Sequence, residues 1–182
     1  VATNGAAPGL PQYDPVAPSG LVADLSRGWD VAFDPAMGGP ASIRFDRLQD
    51  WTAHAEPGVK YYSGRATYRK TVRLDRLPAD GKVWLDLGVA RDMALVRVNG
   101  REIGTVWTAP WRIDVSDALQ VGDNLIEVTV INTWANRIIG DLRAESGAKR
   151  FTDPVNQHVT AQSPLNPSGL LGPVRLVGTG GE

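Results

Sequence analysis

The chain has 182 residues, with 19 Lys+Arg against 20 Asp+Glu and a net charge of -1. That length suits one domain with a real core, and the charge balance gives no electrostatic reason to expect nucleic acid or an anionic membrane as partner. The absence of cysteine removes disulfides, thiolate nucleophiles and Cys-ligated zinc. No apolar run approaches the roughly 18 residues that a membrane span needs. Twenty glycines and 13 prolines, without a collagen repeat, favour tight turns between short strands.

The chain begins with an Ala-, Pro- and Gly-rich stretch. Residues 1–26 are expected to form a linker or N-terminal arm, with Val1 to Ser19 weakly ordered unless they dock. The start lacks the basic and apolar regions of a signal peptide. Either a signal has been cleaved or the chain is a piece of something longer.

Residues 27–182 are expected to form the folded domain. Trp29, Val31 and Phe33 recur at period two and predict a strand. Asp34-Pro35 and Gly38-Gly39-Pro40 break it. Ser42 to Phe45 reads as a short strand, and Leu48 to Trp51 as a turn with Trp51 tucked inward. From Ala66 to Leu74, Ala66, Tyr68, Val72 and Leu74 share one face, while Thr67, Arg69, Thr71 and Arg73 share the other. Lys70 interrupts the apolar face, so it must lie near an edge or snorkel.

Val83, Leu85 and Leu87 alternate with polar or outward residues, as do Ala94, Val96 and Val98. Asn99-Gly100 between two such runs is a hairpin signal, because both positions of a type I′ turn want positive φ. The partner strand runs from Arg101 to Trp107. Arg112 to Val115, Leu125 to Ile131 and Pro173 to Val177 supply further strands, and Ser116 to Leu119 a single turn. Between Asp141 and Pro167 lies a long polar segment, which calls for a function or for local packing. The pattern holds about eight to ten strands and no helix, and predicts an all-β antiparallel sandwich of jelly-roll type.

Catalytic signals are weak. Asp86, Asp92, Asp114, Asp117 and Asp141 fall mostly in turns or at strand ends, as turn-forming aspartates do. They do not read as the paired carboxylates of a glycosidase. His54 and His158 have no metal-ligand spacing, and no nucleophile elbow, P-loop or zinc helix motif occurs. Asp114, Asp117 and Asp123 could lend oxygens to a structural calcium, although a solvated acidic turn explains them as well. No other cofactor is expected.

Sugar binding fits the residues better. A sugar's C–H face stacks on an aromatic ring, and its hydroxyls need rigid hydrogen-bond partners. Trp107, Trp111 and Trp134 stand in two loop-like segments, WTAPWR and NTWANR, beside Arg112, Asn132, Asn136, Arg137 and Asp141. The plain alternative is that each tryptophan fills a core or anchors a loop.

The order YYSGRATYRKTV, VWLDLGVARDMALVRVNGREIGTVWTAPWRIDVSDAL, NTWANRIIGD and SGLLGPVRL resembles one module. It is similar to the galactose-binding-like jelly roll of large bacterial glycoside hydrolases, near the C-terminus of enzymes related to family 106 α-L-rhamnosidases. A more distant similarity is to the sugar-binding jelly roll of β-galactosidases and β-glucuronidases. The resemblance covers roughly Gly28 to Val177. The matching positions are Tyr62, Gly64, Tyr68, Asn99, Gly100, Trp107, Pro110, Asn132, Trp134, Asn136, Arg137, Gly140 and Asp141, which adds Tyr62 to the candidate site.

The resemblance implies an accessory role, with catalytic acids on a separate domain of the same enzyme. It also implies a rhamnose- or galactose-containing glycan as ligand, and a secreted or periplasmic enzyme. The departure lies in the segment FTDPVNQHVTAQSPLNP, where Phe151 is the lone aromatic. An aromatic platform is not expected there. Two further readings stay open. The chain is a purely structural packing module, or it is a small glycosidase or polysaccharide lyase in its own right.

Overall fold

The computed structural model describes residues 20–78, 81–153 and 158–179. In chain order the elements are β1 (Gly20–Asp24), β2 (Arg27–Ala32), β3 (Ile43–Arg47), α1 (Pro57–Lys60), β4 (Arg65–Leu74), β5 (Lys82–Asp86), β6 (Ala90–Arg91), β7 (Met93–Val98) and β8 (Arg101–Val106). There follow β9 (Arg112–Asp114), β10 (Gly122–Ile131), α2 (Ala135–Arg143), β11 (Gly169–Leu170) and β12 (Arg175–Thr179). The sheets are a four-stranded one in the order β1-β12-β5-β9, a six-stranded one in the order β3-β2-β4-β10-β7-β8, and the pair β11-β6. All their pairings are antiparallel.

The two larger sheets close over one apolar cluster. Val83, Leu85 and Leu176 from the smaller sheet meet Val31, Tyr68, Val96, Val128 and Val130 from the larger. The central strands β2, β4, β5, β7 and β10 keep the period-two alternation that the sequence shows and give one face to this core. The architecture is the expected all-β sandwich. At one end Trp29, Phe33, Phe45, Trp51, Tyr62 and Tyr68 form a knot of edge-on rings, with centroids such as Phe33 and Tyr62 4.8 Å apart.

Several local expectations hold. Asn99 has φ 51° and Gly100 φ 80°, and the turn joins β7 to β8. The Asn99 side chain also donates to the Ala118 carbonyl and accepts from Leu125 N–H, so the hairpin tip is pinned to β10. Lys70 snorkels: its ammonium donates to the Arg27 carbonyl. Trp51 is fully buried.

Two expectations need correction. Residues 1–19 of the expected arm lie outside the described residues, but Gly20–Asp24, placed in the same arm, is a strand paired with β12. The chain also contains helix. NTWANR is not a loop; its second half opens α2, which follows Trp134 directly. The buried stripe of α2 is Asn136, Arg137, Gly140 and Asp141, with Ile139. A helix whose inward face is mostly polar carries no apolar periodicity to reveal it.

The outer faces bear charge rows of a regular kind. Across the six-stranded sheet, cross-strand neighbours read Arg44–Asp30–Arg69–Glu127–Arg97–Glu102, alternating in sign at every step. Across the four-stranded sheet they read Asp24–Arg175–Asp86–Arg112. Arg44–Asp30 closes at 2.8 Å, Arg69–Glu127 at 2.9 Å and Arg112–Asp86 at 2.9 Å. Each such pair is worth only about 0.2–1 kcal/mol, but together they favour this register over a slipped one.

Tyr68 ties the halves of the core. Its hydroxyl accepts from Trp51 Nε1 at 2.6 Å and from Leu170 N–H at 3.2 Å. Burial pushes its pKa well above the ordinary tyrosine value, because a phenolate would be stranded without water. Tyr68→Phe orphans both donors, and a loss of about 1–3 kcal/mol per donor is expected in urea unfolding. The same shift sets a pH dependence. The folded pKa exceeds the unfolded one, so its contribution is intact below pH ~10 and is lost as pH rises beyond it. Melting temperature measured from neutral to alkaline pH should therefore fall above that point, and less steeply in the phenylalanine variant.

Candidate functional site

The loops at one end of the six-stranded sheet carry most of the candidate residues. Val130 of β10 and Val106 of β8 both oppose Ala94 of β7, and Ile131 opposes both Met93 and Arg65. The C-terminal ends of β8 and β10 and the N-terminal ends of β4 and β7 therefore form one rim. Trp107 follows β8 there. Trp134 follows Ile131, Asn132 and Thr133 at the same end.

Beneath the rim lies a buried polar lock. Asn132 accepts from Gly64 N–H at 2.9 Å and donates to the Tyr62 carbonyl and to Ser168 Oγ. Asn136 donates to the Asn166 carbonyl and Ser168 Oγ, and accepts from Asn166 N–H. Ser63 Oγ accepts from Arg137 N–H, which satisfies a first-turn donor that α2 cannot satisfy itself. These bonds join the link before β4, the start of α2 and the approach to β11.

Arg137 and Asp141 are one helical turn apart and nearly sealed from water, with side chains 7% and 2% exposed. Arg137 Nε stands 3.5 Å from Asp141 Oδ1, and the guanidinium lies over the Phe151 ring at 4.8 Å. Asp141 Oδ2 accepts from Phe151 N–H, Thr152 N–H and Thr152 Oγ1, at 2.7–2.8 Å. Desolvation holds the Arg137 pKa below the usual guanidinium value, and Asp141 opposes that shift. This pair fastens the long polar segment to α2. Gly140 belongs to the same packing: a Cβ there would come within 2.6 Å of Tyr61 Cβ, so the helix rests directly on Tyr61.

The candidates thus divide. Asn136, Arg137, Asp141 and Tyr62 are buried and hold the chain together, although Arg137 Nε makes no hydrogen bond and meets Asp141 only as an ion pair at 3.5 Å. The Tyr62 hydroxyl accepts from Asp34 N–H and donates to the Arg65 carbonyl, and burial raises its pKa. Trp111 is partly buried and packs against the core, and its carbonyl accepts from Leu87 N–H. Arg112 is half-buried against Asp86. Trp107 and Trp134 differ from all of these: they are 71% and 57% exposed. Phe151 lies between Arg137 and Lys149, each 4.8 Å from its ring. The residues missed from the sequence were Ser63, Ser168, Asn166 and Thr152, small polar side chains with no local signal.

The three aspartates considered for calcium do not gather. Asp114 accepts from Ser116 N–H and Oγ and lies 3.4 Å from Lys82, while Asp123 faces Arg73 at 3.8 Å. Burial of Asp114 raises its pKa, but the Ser116 hydrogen bonds and Lys82 outweigh that and leave it lowered. Among the described residues no group of three or more His, Asp or Glu is placed to hold a metal ion.

Residues 51–161 match the family described as the glycosyl hydrolase 2 galactose-binding domain-like family. The chain belongs to that family. It is 35% identical over 176 residues to a putative beta-glucuronidase of Formosa agariphila, across 84% of this chain and 15% of that protein. It is 46% identical to the solved rhamnosidase from Novosphingobium sp. PP1Y, with a TM-score of 0.80, across 86% of this chain and 15% of that one. A Ruminococcus gnavus beta-glucuronidase, 22% identical with a TM-score of 0.51 over 60% of this chain and 20% of its own, shares the fold. The chain therefore spans about 15% of the length of the first two relatives.

Exposure separates lock from rim in a mutational test. Asp141→Ala strands the buried Arg137 charge and frees three donors, so a loss of about 3–5 kcal/mol is expected in denaturant unfolding. Trp134→Ala and Trp107→Ala, at exposed positions, should each change stability by no more than about 0.5 kcal/mol.

Proposed function

We propose that this chain is a non-catalytic, carbohydrate-binding module of a larger, secreted or periplasmic glycoside hydrolase of the α-L-rhamnosidase-like kind. A rhamnose- or galactose-containing glycan is its ligand, and the catalytic domain of the same enzyme is its neighbour. The observation that carries this reading is the pair Trp107 and Trp134. Two large apolar rings stay in water at one rim, and the segment that carries Trp134 is tied down by the buried hydrogen-bond network of Asn132 and Asn136. Leaving indoles exposed forgoes burial energy, and rigid exposed aromatics are how proteins present a face to sugar rings.

The family match and the rhamnosidase likeness support the setting. The buried acid Asp141 supports the lack of catalysis, because its oxygens face backbone amides, a hydroxyl and Arg137. Asp86 is likewise engaged, with Arg112 and Gly88 N–H.

Isothermal titration of the whole chain against rhamnose- and galactose-containing oligosaccharides tests the reading. Trp107→Ala or Trp134→Ala should weaken binding by about tenfold or more while the melting temperature holds. Retention of none of these glycans by a folded chain would count against sugar binding. The packing role would then be favoured, and Met93, 36% exposed on the same rim, would join the tryptophans in an interface with the rest of the enzyme. Aryl-glycosides and acidic polysaccharides should pass through the chain uncleaved; turnover abolished by one Asp or Glu substitution would establish an enzyme instead.

A further inference from the structure

The rim carries a feature that the tryptophans do not explain. Arg65 opens β4 and Arg91 closes β6, and both are exposed. Among the described residues neither guanidinium has a hydrogen-bond, ion-pair or ring partner. That sets them apart from Arg44, Arg69 and Arg112, which meet carboxylates at 2.8–2.9 Å. Arg97 and Arg101 also differ, since they donate to backbone carbonyls.

Register in the six-stranded sheet places Arg65, and the chain next to β7 places Arg91, which itself pairs with Gly169 in the β11-β6 ladder. Arg65 opposes Ile131, and Ile131 opposes Met93 on its other side. The next strand over is β8, whose last residue Val106 precedes Trp107. Arg65 and the strand that leads into Trp107 are three strand spacings apart, about 14 Å. Arg91 stands two residues before Met93, and the intervening Asp92 donates its N–H to the Ile131 carbonyl at 3.0 Å. The two unpaired arginines and the two exposed tryptophans therefore stand at chain positions grouped about Ile131. Asp92 is the exposed carboxylate between Arg91 and Met93, and Asp86 is occupied by Arg112.

We infer that this rim binds an acidic oligosaccharide, one that carries uronate carboxylates along its length. The inference rests on the sugar-binding reading above and specifies its ligand. A planar guanidinium presents paired N–H donors that match a carboxylate, and such charge-assisted bonds are stronger than those to hydroxyls. The indoles take the C–H faces of the rings while the arginines take the acid groups. The separation across the strands calls for a short oligomer and not for a single sugar.

The test is calorimetric titration of the 182-residue chain with trigalacturonate and with the neutral trimer made from it by carboxyl reduction. The acidic trimer should bind at least tenfold more tightly, and its affinity should fall as salt is raised. Arg65→Ala combined with Arg91→Ala should bring the acidic trimer down to the neutral level without moving the melting temperature. Trp107→Ala should weaken both trimers. Equal affinity for the two trimers, or an acidic affinity unchanged in the double arginine variant, overturns the inference and leaves sugar binding standing. Retention of neither these trimers nor any rhamnose- or galactose-containing glycan, by a folded chain, overturns both.

Discussion

The architecture of the rim depends on a few amide and hydroxyl groups that have no water to turn to. Asn132, at the end of β10, satisfies the backbone on either side of Ser63, and through Ser168 Oγ it meets Asn136 of α2. A half-satisfied network of this kind would cost more than an apolar core, because each orphaned group keeps its desolvation penalty. Satisfied, it admits one arrangement of the chain. The segment on which Trp134 stands, between Asn132 and Asn136, is therefore an extension of a fixed substructure. A binding surface gains from this, since little ordering entropy remains to be lost on contact.

Arg137 and Asp141 extend the same logic to the long segment after α2. The segment has no strand to hold it between Arg143 and Gly169 among the described residues, and it is kept close by side chains reaching out to it. Asp141 captures Phe151 and Thr152, Arg143 donates to the Ala161 and Ser163 carbonyls, and Asn136 captures Asn166. A single nine-residue helix thus provides the anchor points for more than twenty residues of irregular chain.

Much of the sandwich was legible because strands announce themselves at period two. The alternation from Ala66 to Leu74, the Asn99-Gly100 turn and the inward Ile126, Val128 and Val130 are all present in the fold. α2 was not legible, since its inward stripe is Asn, Arg, Gly and Asp, residues that normally mark a surface. The tryptophans show the limit differently. Trp107 and Trp111 sit four residues apart in one loop, yet one is in water and the other packs on the core. Composition treats them alike, and only the third dimension parts them. Arg65 and Arg91 were invisible as a pair because they meet only through Ile131, which opposes Arg65 and accepts from Asp92 N–H, and not through sequence proximity.

The alternating charge rows have a consequence for how anything charged would meet this domain. Each row contains as many cations as anions, in strict succession, so its potential cancels within a few ångströms of the surface. The two rows are electrostatically quiet despite holding ten charged side chains between them. A field that reaches into solvent can come only from places where the alternation stops. The rim at Arg65 and Arg91 is such a place, as is the far end of β2 and β3, where exposed Arg27 and Arg47 oppose one another, so an approaching anion is oriented from the ends of the sheet and not from its rows.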